Sequence, residues 1–373
     1  MFYIVLFIAG LVLMVVGAEL LVRGASRLAV MIGISPLVVG LTVVAFGTSA
    51  PEFAVSIKAA LSGQADLTVG NVVGSNIFNV LFILGLSAIV TPLIVASQLV
   101  RFDVPLMIGV SVLVLLMAID GLFSRVDGML LFAGLLTYTG GLVYYSRRKG
   151  KEAISDEVAA LVAETDTRSP AARGVSSITL VVVGLFMLAQ GSSWLVDSAV
   201  VFAKYLEISE VVIGLTVISI GTSLPEVVTS VVASLRNERD IAVGNIVGSN
   251  LFNLLGVLGL AAVVAPAGIA VSSQVMWFDL PVMVAVAIAA MPIFITGGTI
   301  FRIEGAILLG YYVAYTTYLV MFATNYQGLG LFRQAMIYFA IPLTVLTLAV
   351  LMVQDIRRRR RAMLDAPTGQ AAP

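Results

Sequence analysis

The chain contains no cysteine and no histidine among its 373 residues, and only 11% of them are charged. Without cysteine there is no disulfide, no thiolate metal ligand and no thiol nucleophile. Without histidine the commonest general base, the commonest zinc ligand and the usual proton shuttle near neutral pH are missing. The charge content is far below the roughly 25% of a soluble globular domain. The 21 basic residues balance the 21 acidic ones, so no bulk charge draws the chain to nucleic acid. Apolar residues make up 60% of the sequence, and the mean hydropathy is +1.08. The chain therefore reads as a polytopic membrane protein whose chemistry rests on a few carboxylates, hydroxyls and amides. Its first apolar segment, 2–22, has no basic residue before it and is too long for the core of a signal peptide, so it reads as an uncleaved membrane helix.

One half of the chain can be laid on the other. Gly40 to Gly85, "GLTVVAFGTSAPEFAVSIKAALSGQADLTVGNVVGSNIFNVLFILG", aligns without a gap to Gly214 to Gly259, "GLTVISIGTSLPEVVTSVVASLRNERDIAVGNIVGSNLFNLLGVLG". The likeness extends weakly outward, with "RFDVP" at Arg101 against "WFDLP" at Trp277, and "RVDG" at Arg125 against "RIEG" at Arg302. Apolar stretches of about 20 residues predict spans at 2–22, 36–61, 67–90, 104–120 and 127–146, then at 175–197, 210–235, 241–264, 279–296 and 303–324. Five spans per copy force the second copy to enter the membrane upside down, the inverted-topology repeat of transporters.

The expected fold class is all-α, a ten-helix inverted repeat (5+5) with broken helices 2 and 7 and an extra C-terminal transmembrane helix at 331–353. The domain expectation is a first five-helix repeat at 1–146, a cytoplasmic linker at 147–174, a second inverted repeat at 175–324, and an extra helix with a basic tail at 325–373. Basic residues gather in alternate loops: Arg23, Arg27, Arg101, the linker, Arg236, Arg239, Arg302 and Arg357 to Arg361 on one side, against Lys58, Arg125, Lys204 and Arg333 on the other. By the positive-inside rule the N-terminus lies outside and the C-terminus in the cytoplasm. The short loops point to a prokaryotic inner membrane. In the linker, Glu152, Asp156, Glu157, Glu164 and Asp166 lack the spacing of a calcium loop, so it reads as a solvated tether. The arginine run fixes topology and meets anionic lipid.

The repeated "GTSAPE" (Gly47 to Glu52) and "GTSLPE" (Gly221 to Glu226) place a proline and a glutamate inside predicted spans. Proline removes a donor and clashes with the carbonyl one turn back. Backbone oxygens freed at this depth must be buried in protein or line a wet cavity, and a glutamate at the bilayer centre costs several kcal/mol unless partnered. Carbonyls, hydroxyls and a carboxylate in one turn suit a hard cation, and the repeat would set Glu52 and Glu226 face to face. In the second repeated block, "GNVVGSNIFN" and "GNIVGSNLFN", Ser75 shares a helical face with Asn79, and Ser249 with Asn253. Gly70, Gly74, Gly244 and Gly248 have the spacing of close helix packing. Glu19, Asp103, Asp197 and Asp279 fall near predicted span ends, where capping or interfacial solvation is their expected role.

On these two motif pairs the chain resembles the sodium/calcium exchangers of the cation/calcium antiporter superfamily, prokaryotic in type, over residues 1 to 324. The resemblance implies alternating access, with no cofactor and with calcium and sodium ions as transported substrates. It implies calcium binding by Glu52 and Glu226 with the carbonyls of Thr48 and Thr222. It implies sodium binding by Ala45, Thr48, Ser49, Glu52, Ser75, Asn79, Ser219, Thr222, Ser223, Glu226, Ser249 and Asn253, with the long first and sixth helices moving across this core. Some relatives carry aspartate where this chain has Asn253, the potassium-dependent branch among them, so potassium coupling is not expected. A proton/calcium exchanger is the alternative, and a cation channel built on the same oxygens comes after it. An intramembrane enzyme has little to work with, since Lys58 is the only lysine in a predicted span. Partners beyond the ions and membrane lipid, and any oligomeric state, are not legible.

Overall fold

A computed structural model describes residues 2–153, 170–206, 219–295, 297–343, 345 and 346. Its architecture is almost wholly helical. The first half comprises α1 (Phe2–Ile32), the bent pair α2 (Pro36–Thr48) and α3 (Ala50–Leu61), α4 (Ala65–Val90), α5 (Leu99–Asp120) and α6 (Arg125–Ala153). The second comprises α7 (Pro170–Tyr205), α8 (Ser219–Thr222), α9 (Leu224–Leu235), α10 (Arg239–Val264), α11 (Val275–Ile295) and α12 (Arg302–Ala323). Among the described residues, eight helices are long and apolar enough to cross a membrane, and the bent pair makes a ninth. The region preceding α8, predicted as the first part of span 210–235, lies outside the described residues, as does most of the linker.

The expected break in the first copy is present. α2 and α3 meet at Ser49 with a bend of 49°. The proline enters differently from the sequence expectation, however. Pro51 and Pro225 sit in the first turn of α3 and α9, where the missing N–H is one of the helix's unpaired donors anyway. The break falls on Ser49 and Ser223, the residues that precede each second half-helix, and it puts Glu52 and Glu226 in the first turn, at the positive end of the helix dipole.

Two other expectations are corrected. The first and sixth spans are longer than hydropathy marks, running to Ile32 and Tyr205. Helix propensity carries α1 through Arg23 and Arg27 until Gly33, whose φ of +71° is left-handed, stops it. Ser35 then caps the next helix by accepting from the Val38 N–H at 3.3 Å. Glu19 and Asp197 therefore sit within helices rather than at their ends. Nor is Asp103 solvated. It is fully buried and accepts from the Tyr138 hydroxyl at 3.0 Å and the Gln98 amide at 3.2 Å, without capping α5. Asp279 likewise accepts from the Tyr315 hydroxyl at 2.9 Å. Each carboxylate closes a π-helical turn, Leu99–Asp103 and Val275–Asp279, and ties the fourth span of its copy to the fifth. The acids of "RVDG" and "RIEG" do cap helices: Asp127 accepts from the Ser124 N–H at 2.9 Å, and Glu304 from the Phe301 N–H at 2.8 Å.

Contacts between the copies follow a two-fold pattern. β1 (Leu93–Ile94) pairs antiparallel with β4 (Thr299–Ile300), and β2 (Leu122–Phe123) with β3 (Ile269–Ala270). Each miniature sheet joins a loop of one copy to a loop of the other. Since α5 runs between β1 and β2, the two sheets lie at opposite ends of the helix layer. The long helices α1 and α7 run antiparallel along each other. A β-carbon on Gly10, Gly17 or Gly24 would come within 2.7, 2.8 and 2.9 Å of the carbonyl oxygens of Gly191, Gly184 and Ser177, so the backbones touch at two-turn intervals. The helices α4 and α10 are the most enclosed of the long spans, 78% and 89% buried, and they frame the centre of the molecule. At the C-terminal end, α13 (Leu329–Ala335) and its following turn are held to α12 by the Tyr311 hydroxyl on the Ala340 carbonyl, 3.0 Å. The rest of the predicted span 331–353 is mostly outside the described residues.

Candidate ion-binding site

Polar side chains that hydrocarbon would not tolerate gather where α2–α3, α8–α9, α4 and α10 converge. Thr48, Ser49, Glu52, Ser75, Asn79, Ser223, Glu226, Ser249 and Asn253 are all at most 2% exposed. The copies reach across to one another. The Ser49 hydroxyl donates to Glu226 Oε1 at 2.8 Å, and the Ser223 hydroxyl to Glu52 Oε1 at 2.7 Å. Ser223 also bridges to Ser75 Oγ at 3.2 Å. Each carboxylate is thus held through one oxygen by the opposite copy, while Glu52 Oε2 and Glu226 Oε2 are buried with no protein donor. Asn79 Oδ1, Asn253 Oδ1 and Ser249 Oγ are in the same condition.

Such a set has a definite chemical character. Buried oxygens left without a donor carry a desolvation cost, and a cation removes it. Two carboxylates with neutral amide and hydroxyl oxygens suit a hard ion such as sodium or calcium. Among the described residues no group of three or more acidic side chains forms a cluster, so the fixed charge here comes from two glutamates.

The remaining sequence candidates are placed as follows. The Ala45 carbonyl accepts from the Ser49 N–H at 3.0 Å and weakly from the Thr48 hydroxyl at 3.4 Å, which leaves it engaged within its own turn. At the second break the Ser223 N–H bonds the Ile220 carbonyl at 3.1 Å, a tighter turn than the first. Ser219 opens α8, and its side chain lies outside the described residues. The Gly221 carbonyl, one turn before Pro225, is taken by the Ser192 hydroxyl of α7 at 2.7 Å rather than turned to the centre. Gly244 and Gly248 bring α10 against α2, with added β-carbons falling 2.9 Å from the Leu37 carbonyl and 2.7 Å from Leu41. By the repeat, the counterparts of Leu37 and Leu41 are residues 211 and 215, outside the described residues.

Several participants were not anticipated from the sequence. The Asn71 amide donates to the Glu52 carbonyl at 3.2 Å and to Ser56 Oγ at 2.9 Å, and its oxygen accepts from the Thr222 hydroxyl at 3.4 Å. Asn245 repeats the arrangement, donating to Ser230 Oγ at 3.0 Å and accepting from the Thr48 hydroxyl at 3.0 Å. Asn71, Ser75 and Asn79 are spaced four apart on one face of α4, so extending the Ser75–Asn79 stripe by one turn finds Asn71. Asn76 and Asn250 lie off that stripe and had no such signal.

The sodium/calcium exchanger protein family matches residues 2–144 and 176–321, most of the chain. The protein belongs to the sodium/calcium exchanger family. Its relatives include the putative antiporter CaxA of Alkalimonas amylolytica, 38% identical over 76% of this chain and 88% of that protein. They also include the sodium/calcium exchanger MaX1 of Methanosarcina acetivorans, 31% identical over 76% and 89%. The fold is similar to that of the sodium-calcium exchanger NCX_Mj, with a TM-score of 0.71 at 29% identity over 84% of this chain and 97% of that one. The exchanger is therefore a membrane transporter and not an enzyme. Ions are its cargo, and its family requires no cofactor for exchange.

Proposed function

We propose that this exchanger is a secondary-active sodium/calcium antiporter in which the two ions compete for one midplane site built on Glu52 and Glu226. The observation that carries the reading is the reciprocal crossing: each glutamate is oriented by the opposite copy's serine and keeps its second oxygen buried and undonated. In this reading calcium is held by the two carboxylates with the carbonyls of Thr48 and Thr222. Sodium ions draw on the same carboxylates with Ser49, Ser75, Asn79, Ser223, Ser249 and Asn253, and with backbone at Ala45 and Ser219. Because both ions require the same oxygens, neither stays while the other is bound, and that exclusion couples the fluxes. A proton/calcium exchanger is the second reading, since buried glutamates can also carry protons; the Gly-Thr-Ser-x-Pro-Glu turns resemble the sodium-coupled branches and place it second.

In the same reading the protein lies in a prokaryotic inner membrane, with its N-terminus outside and C-terminus inside. The two repeats, 1–146 and 175–324, act as inverted halves joined by the cytoplasmic linker, with α1 and α7 as the moving helices. Calcium uptake into sodium-loaded proteoliposomes tests the coupling. Uptake that requires the outward sodium gradient at clamped pH supports the antiporter. Uptake that follows an imposed pH gradient instead replaces it with the proton exchanger, and uptake with no counter-ion replaces it with a channel.

A further inference from the structure

Asn76 and Asn250 are buried beside the centre, and each touches a methionine of the other copy. The Asn250 amide nitrogen donates to Met107 Sδ at 3.3 Å, and its oxygen accepts from the Asn79 amide at 3.0 Å. The Asn76 amide nitrogen donates to Met283 Sδ at 3.8 Å, and its oxygen accepts from the Asn253 amide at 3.4 Å. All six side chains are at most 3% exposed. The two chains of contact are related by the repeat: the alignment of "RFDVP" with "WFDLP" places Met107 on Met283, and that of the second block places Asn76 on Asn250.

The sulfur decides the direction of each chain. A thioether has lone pairs and no hydrogen to donate. Only the NH2 end of an asparagine can profitably face it, so the oxygen of Asn76 or Asn250 must point the other way. That oxygen can be satisfied only by a donor, so Asn253 and Asn79 turn their own NH2 groups to it. What they leave over is a carbonyl oxygen, and Asn79 Oδ1 and Asn253 Oδ1 are the buried acceptors without a protein donor. Asn79 and Asn253 also lie in π-helical turns, Asn79–Ile83 and Phe252–Leu258, a feature frequent at functional sites.

We propose that Asn76 and Asn250 are positioning residues: with Met283 and Met107 they form two thioether–amide relays that fix the polarity of Asn253 and Asn79, so that these present oxygen, not NH2, to the ions. The proposal rests on Asn79 and Asn253 being ion ligands and adds what makes them so. It gives α5 and α11 a function at a site they do not otherwise line. It also assigns the discrimination between a cation-binding and a cation-repelling amide to residues that never touch the ion.

The test is a cycle in proteoliposomes on the full chain, reading half-saturating calcium and sodium concentrations separately from maximal rate. Asn79→Ala, Asn250→Ala and the double variant are compared. The expected result is that each single change raises the half-saturating concentrations by about tenfold, the scale of one hydrogen bond to a charged group. The double variant should be no worse than Asn79→Ala alone, because Asn250 acts through Asn79. Met107→Leu, which nearly conserves volume, is expected to raise half-saturation severalfold with maximal rate little changed, whereas Met117→Leu on the same helix leaves both unchanged. If Asn250→Ala or Met107→Leu leaves half-saturation unaltered while Asn79→Ala shifts it, or if the two alanine effects multiply, the relay is wrong. If Asn79→Ala itself shifts nothing, the reading of Asn79 as a ligand is what fails. Should Asn250→Ala not fold, Met107→Leu against Met117→Leu decides alone.

Discussion

Glu52 and Glu226 derive their role from what surrounds them more than from their position in a membrane helix. A hydroxyl from the opposite copy holds one oxygen of each, and the other oxygen is free of protein donors. In the proposed site, replacing either by glutamine removes one of the two fixed charges that pair with the bound cation, and breaking a buried charge pair costs about 3–5 kcal/mol. Glu52→Gln and Glu226→Gln are each expected to lower sodium-driven calcium uptake by about 100-fold or more, measured in vesicles at matched protein density. Ser49→Ala removes one hydrogen bond to a charged group, about 1.5–3 kcal/mol. It should therefore weaken calcium half-saturation by roughly tenfold or more, and a titration of uptake against calcium reads this directly. Because Ser49 acts on Glu226, its effect should vanish in a Glu226→Gln background.

At the scale of elements, α1 and α7 are locked along their length by glycines. A β-carbon at Gly17 would fall 2.8 Å from the Gly184 carbonyl and 2.9 Å from Met187 Cβ, so neither backbone can keep its place if a side chain is added. Gly17→Val is expected to destabilise by about 1–3 kcal/mol, the range for forced overpacking, and a thermal unfolding curve in detergent should show a lower midpoint. The same contact implies that α1 and α7 move as one plate during transport. A disulfide engineered between them on this cysteine-free chain should therefore permit exchange, and loss of exchange on oxidation would show that the two helices slide past one another.

At the scale of the whole molecule, an ion pair breaks the two-fold pattern. Glu19 of α1 pairs with Arg23 and with Arg236 at the end of α9. The repeat puts Ser193 and Ser62 at the positions equivalent to Glu19 and Arg236, so no matching ion pair can form on the other side. In an alternating-access cycle such an asymmetric latch between a long outer helix and the core would favour one of the two access states. The pair is partly exposed, with Arg236 39% and Glu19 23% accessible, so it contributes at most about 1 kcal/mol. Glu19→Gln is thus expected to shift the balance of access states by no more than about fivefold, with transport retained. Single-cysteine accessibility from the two membrane faces reads that shift. An unchanged pattern would show the ion pair to be neutral.

Composition alone determined that the protein lives in a membrane, because so few charges cannot cover a soluble surface of this size. The gapless repeat determined that it is built twice, and an odd number of spans per copy implies the inversion. The paired Gly-Thr-Ser-x-Pro-Glu turns disclosed the breaks and the carboxylates, since a buried glutamate beside a proline has no cheap explanation in hydrocarbon. These are local or compositional signals. The tertiary structure decided who bonds to whom. Ser49 serves Glu226 rather than its own neighbour Glu52, across 177 positions of sequence, and Asn79 answers to Asn250 across 171. It also moved Asp103 and Asp279 from expected interfaces to tyrosine partners on the neighbouring span. The sequence could not show this because hydropathy reports how a residue partitions between water and lipid. It carries no record of which of two identical motifs supplies the partner once the halves are packed together.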